Sequence, residues 1–398
     1  MNYCESPFKI NLQKMRKIVI RGNKKLVHSI IGIGAGWRHE KPGIRGITHF
    51  LEHAIFLGNK IYPEPDEEAG KLGVELEGMT LPEHTLFYFT SLEEDFNRIF
   101  SMFLSLIFHP EFNPDKLHKE KEESILTAIV QESDYTPWEL AYAWAENLLF
   151  DWDFRLSLGT EEDIRSIDVN DLVDWHGKYY NSSNSFVMVY GNIEESGVAI
   201  AMEKAKIPVG ERVPIPFKAR WNEREKVIYR EDTKNIDMIY GFKISEYDIG
   251  WEVFNLMIGS CHPITKEWEV WRKYCYTIET NLEWTKEGEG GLFLYFGATS
   301  LRNSEEIDKS LFSVLKSMKI KEEEVEKAKK ILLTEILKMK EGGERGFFKF
   351  FKFNHLFRYR DFDEILSEIE NITKDKIMKL KGLLAQEKPV KIKVGDIK

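Results

Sequence analysis

Cysteine is scarce in this chain: three in 398 residues, Cys4, Cys261 and Cys275, far apart in the sequence. So sparse a set excludes a disulfide framework and fits a reducing compartment. No apolar run reaches the ~18 residues that a membrane-spanning helix needs, so no membrane partner is expected. The opening stretch Met1-Asn2-Tyr3-Cys4-Glu5-Ser6-Pro7 lacks the apolar segment of a secretory signal, and the expected location is cytoplasmic. Positive charge is also short. The net charge is −10, and the short lysine-rich stretches are balanced by glutamate. No basic face is left for a nucleic acid.

What is present is length and pattern. A chain of 398 residues, 42% of them apolar, carries enough core for more than one domain. Residues 17–20 and 27–35 read as two strands around a turn at Gly22-Asn23. A helix is expected over 46–56 and a short one over 66–72. A strand pair follows at 74–80 and 84–90, then helices over 92–108, 114–133, 138–150 and 169–180, and a strand at 185–193. Residues 206–224 hold three prolines without periodicity and read as a linker. Beyond it the order resumes: strands at 226–230, 236–242, 274–280 and 290–299, and helices at 251–258, 304–318 and 321–340. Ser124-Ile125-Leu126-Thr127-Ala128-Ile129 resembles Ile331-Leu332-Leu333-Thr334-Glu335-Ile336, 207 positions on. Self-similarity of this kind argues for two copies of one unit. The expected fold class is α+β. It has two homologous halves, each an antiparallel-rich sheet packed with helices: 1–205, a linker at 206–224, and 225–398.

The stretch that stands out chemically is Gly46-Ile47-Thr48-His49-Phe50-Leu51-Glu52-His53-Ala54-Ile55-Phe56. On a helix His49 and His53 lie one turn apart on the same face, spaced to share one Zn²⁺. Glu52 sits on nearly the same face, placed to take a proton from a metal-bound water. His-x-x-Glu-His is the inverted zinc-peptidase motif. Zinc would act there as Lewis acid, with Glu52 as general base for peptide-bond hydrolysis. The second half carries Leu256-Met257-Ile258-Gly259-Ser260 at the matching positions, so only the first half is expected to hold metal.

Several further stretches fall in the same order as in the pitrilysin and mitochondrial-processing-peptidase family, which the chain resembles over nearly its whole length. They are Gly36-Trp37-Arg38-His39-Glu40 before the motif, Thr80 to Tyr88 with Glu83, Thr85 and Phe87, Leu158-Gly159-Thr160, and Tyr179-Tyr180. The resemblance implies two α+β halves, Zn²⁺ as cofactor, and homodimers or heterodimers that enclose a chamber and cleave peptides or unfolded polypeptides. It also implies a third zinc ligand, a glutamate about 75 residues past the second histidine. That slot falls on Ala128, and the repeat places Glu335 at the matching position. Glu132, one turn on, is a weak substitute. Glu122 and Glu123, on the preceding turns, read as a solvated charged face beside a possible supporting carboxylate. The resemblance further implies a substrate-contacting Arg seven residues before a Tyr. Tyr276 fits the Tyr, as a donor to the oxyanion, but Glu269 stands in the Arg position and Arg272 lies four before.

Two functions follow. One is a zinc endopeptidase with His49 and His53 as ligands and Glu52 and Tyr276 in catalysis, silenced or weakened at Ala128 unless another group substitutes. The other is a non-catalytic peptide-binding or scaffolding subunit that partners an active sibling. The aromatic run at 347–353 reads as a core or subunit-interface helix.

Overall fold

The computed structural model describes residues 15–22, 25–131, 135–150, 153, 155, 157–214, 224–231, 233–259, 270–285, 288–341 and 362–397. The aromatic run at 347–353, Cys4, Cys261, Glu132 and Glu269 lie outside these residues.

The chain divides into two compact units, 1–131 with 156–216, and 132–155 with 217–398. The first is built on strands β1 (Arg16–Arg21), β2 (Leu26–Ile33), β3 (Glu77–Thr80), β4 (Thr85–Leu92) and β5 (Ser185–Gly191). Their order across the sheet is β1-β5-β2-β4-β3. β1 pairs parallel with β5, and the other pairs are antiparallel. β1 and β2 therefore do not form the pair that the turn between them suggested, because β5 lies between them. β2 is buried on both faces from Val27 to Ile33, which is why it reads as a near-continuous apolar run.

Helix α1 (Ile47–Phe56) lies on this sheet. Its Phe50, Leu51, Ala54 and Ile55 share one core with Ile31, Ile33, Phe87 and Phe89 of the strands. Helices α2 (Pro65–Gly70) and α3 (Phe96–Phe108) follow. The Phe89 and Phe103 rings lie tilted with centroids 4.7 Å apart, and Phe96 and Phe100 stack at 5.1 Å. Each such pair adds about 0.5–1.5 kcal/mol beyond burial, so α1 rests on a rigid floor.

The helix expected over 114–133 is not uniform. It runs as α4 (Pro114–Glu120), a π-helical turn (Lys121–Ile125) and α5 (Leu126–Gln131). A π turn holds one extra residue, and such turns recur at functional sites. Helix α6 (Pro137–Phe150) packs on the second unit's sheet, although its chain neighbours precede the proline-rich stretch. Helices α7 (Glu161–Ser166), α8 (Val169–Tyr179) and α9 (Glu195–Lys204) complete the first unit.

The second unit repeats the wiring. Strands β6 (Glu225–Tyr229), β7 (Ile236–Ile244), β8 (Thr277–Trp284), β9 (Gly290–Thr299) and β10 (Val390–Gly395) take the order β6-β10-β7-β9-β8. β6 and β10 are its parallel pair. This is the order of the first sheet, strand for strand, and the expected pair of sheet-plus-helix halves is what the chain forms. β10 is not among the strands expected from the sequence, although its Val-Lys-Ile-Lys-Val alternation has the period of a strand. Lys393 is buried, and Asp308 accepts from its Nζ at 2.8 Å. Helices α10 (Gly250–Ile258) and α11 (Leu301–Ser317) meet β8 and β7, and α12 (Glu322–Glu341), α13 (Phe362–Glu370) and α14 (Lys374–Leu384) pack on α10 and one another. Among the described residues no helix is long and apolar enough to cross a membrane.

Candidate functional site

Glycine sets where α1 begins. Gly46 is its N-cap at φ 84°, in the left-handed region, and a Cβ there would strike the carbonyl of Leu158. Gly159 is likewise left-handed and packs against Arg45 and Gly46. Two backbones that close admit no side chain at either position. Glu40, arriving from β2, caps the helix. Its Oε2 accepts from the N–H of Gly46 at 2.8 Å and its Oε1 from that of Thr48 at 2.9 Å. Burial pushes the Glu40 carboxyl up to about 7, while those two donors favour its charged form.

The helix then presents its polar residues. The rings of His49 and His53 lie 4.7 Å apart at 75° to each other, on one face as the spacing of four predicts. Burial, and secondarily the neighbouring His53, pushes the His49 imidazole down to about 4. It is therefore neutral at pH 7, the form that donates a lone pair. Its Nδ1 is buried with no hydrogen-bond partner. Nδ1 of His53 meets Oε1 of Glu120 at 2.7 Å. A carboxylate there accepts from Nδ1–H, so a neutral His53 ring with its proton on Nδ1 turns the lone pair of Nε2 outward.

Glu52 is 7% exposed. Oε2 accepts from the Thr80 hydroxyl at 2.5 Å. Burial raises the Glu52 carboxyl above its ordinary value, against the Thr80 hydrogen bond and a smaller favourable interaction with His53. Beyond it the Tyr180 phenol is held protonated, by burial first and then by the charge of Glu52. The turn between β3 and β4 is clamped by a buried ion pair of Arg38 and Glu83 and by the Arg38 N–H, which donates to the Pro82 carbonyl at 2.9 Å.

The donor set answers zinc in part. Two neutral imidazoles, one oriented by a carboxylate, suit Zn²⁺. Among the described residues, though, no group of three His, Cys, Asp or Glu is arranged to hold a metal ion. Ala128, in the slot expected for the third ligand, lies half-buried on α5 just past the π turn and has no lone pair to offer. Glu122 pairs with Arg165 at 3.2 Å and Glu123 with Lys119 at 3.8 Å. Both are on the solvated face, and Glu120 is the carboxylate that reaches His53. No sequence signal singled it out, because its partner lies 67 positions away.

Tyr276 belongs to the second unit. It precedes β8 and is not within a strand, and it is 91% exposed. That exposure removes the reading of Tyr276 as a packed core aromatic. Arg272 is exposed as well.

Two family models match the chain. That of the insulinase family, peptidase family M16, covers residues 17–141, and that of the peptidase M16 inactive domain covers 166–332. The chain is 23% identical over 410 residues to the uncharacterized zinc protease YmxG of Bacillus subtilis, covering 91% of each. It is 26% identical over 183 residues to the beta subunit of the mitochondrial-processing peptidase of Bos taurus, spanning 45% of this chain and 36% of that one. A crystal structure of a protease from Helicobacter pylori superposes with a TM-score of 0.81, at 15% identity, over 96% of this chain and 97% of that one. At that identity the likeness is one of fold.

Proposed function

This chain belongs to the insulinase family, peptidase family M16, and from that premise we propose that it is a zinc endopeptidase acting on peptides or unfolded polypeptides. One arrangement carries the reading. Two imidazoles stand 4.7 Å apart on one helix face, with the buried carboxylate of Glu52 in the residue next to His53. His49 and His53 would hold Zn²⁺, which when bound supplies a Lewis acid for the attacking water and the peptide carbonyl.

The chain's own groups do the rest. Glu52 takes the proton of the attacking water and hands it to the departing amine. Its raised pKa moves it toward the range where a general base works near neutrality. Glu120 keeps the His53 ring in one tautomer. Tyr276 would donate its hydroxyl to the oxyanion that forms on the carbonyl, once a partner chain or a closed conformation brings it in. A sibling chain, identical or not, is the proposed partner, in line with the bovine relative being one subunit of a peptidase. The sparse cysteines fit a cytoplasmic setting.

The test is zinc content by elemental analysis alongside cleavage of an unstructured peptide. The chain should bind zinc and cleave. Glu52→Gln should keep the zinc and lose cleavage. A second reading rests on Ala128: without a third protein ligand the chain serves as a peptide-binding subunit. Peptide binding without zinc or cleavage would favour it.

A further inference from the structure

The carboxylate of Glu52 is seated by a strand that the helix does not touch in sequence. One oxygen, Oε2, accepts from the Thr80 hydroxyl at 2.5 Å. The other, Oε1, occupies the space directly over Gly78, where any Cβ would overlap it. Gly78 and Thr80 are alternate residues of β3, so they face the same side of the sheet. β3 is an edge strand of four residues, and its register is set by β4, its one strand neighbour among the described residues. Gly78 lies opposite Phe87 and Thr80 opposite Thr85. Phe87 is fully buried, and the Thr85 hydroxyl donates to the carbonyl of Ala35 at 2.9 Å. The strand that carries the seat is thus anchored to the core from behind.

A glutamate side chain has three torsions, the last of them broad. Burial alone leaves its carboxylate free to turn. A donor on one oxygen and a notch around the other remove that freedom. We propose that Thr80 and Gly78 are positioning residues for Glu52. Thr80 holds Oε2, and the missing side chain at 78 admits Oε1. The seat's catalytic purpose rests on reading Glu52 as the general base. The seat itself does not.

The test combines a stability cycle with kinetics and zinc content. Thr80→Val, Glu52→Ala and the double variant are unfolded in urea. The midpoint shift caused by Thr80→Val should shrink by about half or more in the Glu52→Ala background, because contacting residues couple. In the cleaving chain Thr80→Val should lower kcat by up to about 10²-fold, the scale of a small misplacement of a reacting group. KM and zinc content should stay unchanged, and Thr80→Ser should restore kcat. Additive midpoint shifts overturn the seat whether or not the chain cleaves. Coupled shifts with an unchanged kcat overturn its positioning role. A chain that cleaves nothing, with Ala128→Glu as without it, overturns the peptidase reading and with it the catalytic purpose of the seat.

Discussion

Glu120 and His53 meet at 2.7 Å, Oε1 to Nδ1, and Glu120 is the last residue of α4 before the π turn. The carboxylate is 22% exposed and the imidazole 32%, so the pair is half-shielded rather than sealed. Removing the acceptor frees the ring to rotate and to change tautomer. Glu120→Ala should weaken zinc binding by about 10–100-fold in competition with a chelating dye, the usual cost of losing such a partner. Glu120→Gln keeps an acceptor oxygen and should lose less. Equal affinity in all three chains would show that the contact orients nothing.

Ala128→Glu should tighten zinc binding by restoring a carboxylate to the slot that the count from His53 identifies. The π turn makes this a sharp test. Each helical residue turns the side chain by about 100°, and the π turn lies between Glu120 and Ala128. If Ala128→Glu changes nothing while Thr127→Glu or Ile129→Glu tightens binding, the π turn has moved the slot by one residue.

Arg38 and Glu83 form an ion pair with side chains only 5% and 4% exposed. Removing Arg38 takes from the interior the cation that the buried Glu83 carboxylate faces. Arg38→Met should cost about 3–5 kcal/mol of stability in urea unfolding. Arg38→Met with Glu83→Leu should cost much less, because both charges are then gone. A double variant as unstable as the single one contradicts this account.

Glu146, on α6, is buried with its carboxyl held well above the ordinary range, by burial first and by the charge of Glu283 second. The folded chain keeps a proton there that the unfolded chain releases above its ordinary value of 4.5. Folding therefore binds protons in that window, and the group's contribution to stability falls as pH rises, by at most about 1.4 kcal/mol per unit. Glu146→Gln removes this slope. Its stability relative to the parent should climb between about pH 5 and the folded-state pKa, then level off. A constant difference across that range in pH-resolved denaturation rules the effect out.

Much of this molecule was written in local pattern. The run from Gly46 to Phe56 specified both the helix and the His49/His53 face, since a period of 3.6 residues decides which side chains share a side. Apolar β2, β4 and β5 announced a buried sheet for the same kind of reason, and the repeat announced two similar halves. What pattern does not carry is which distant segments meet. β5 lies between β1 and β2, β10 inserts between β6 and β7 with a lysine paired to Asp308, and α6 joins the unit built mostly from later sequence.

At the site the division is the same. His49, Glu52 and His53 are legible because one helix turn places them together. Glu120, Thr80 and Gly78 are not, because each reaches the motif through space from another element, and no spacing in the sequence encodes that approach. The π turn shows the limit most plainly. Extended backbone count leads from His53 to Ala128, but the direction in which residue 128 points depends on how one turn of helix packs its extra residue. That is settled by the packing around the turn, which only the folded chain contains.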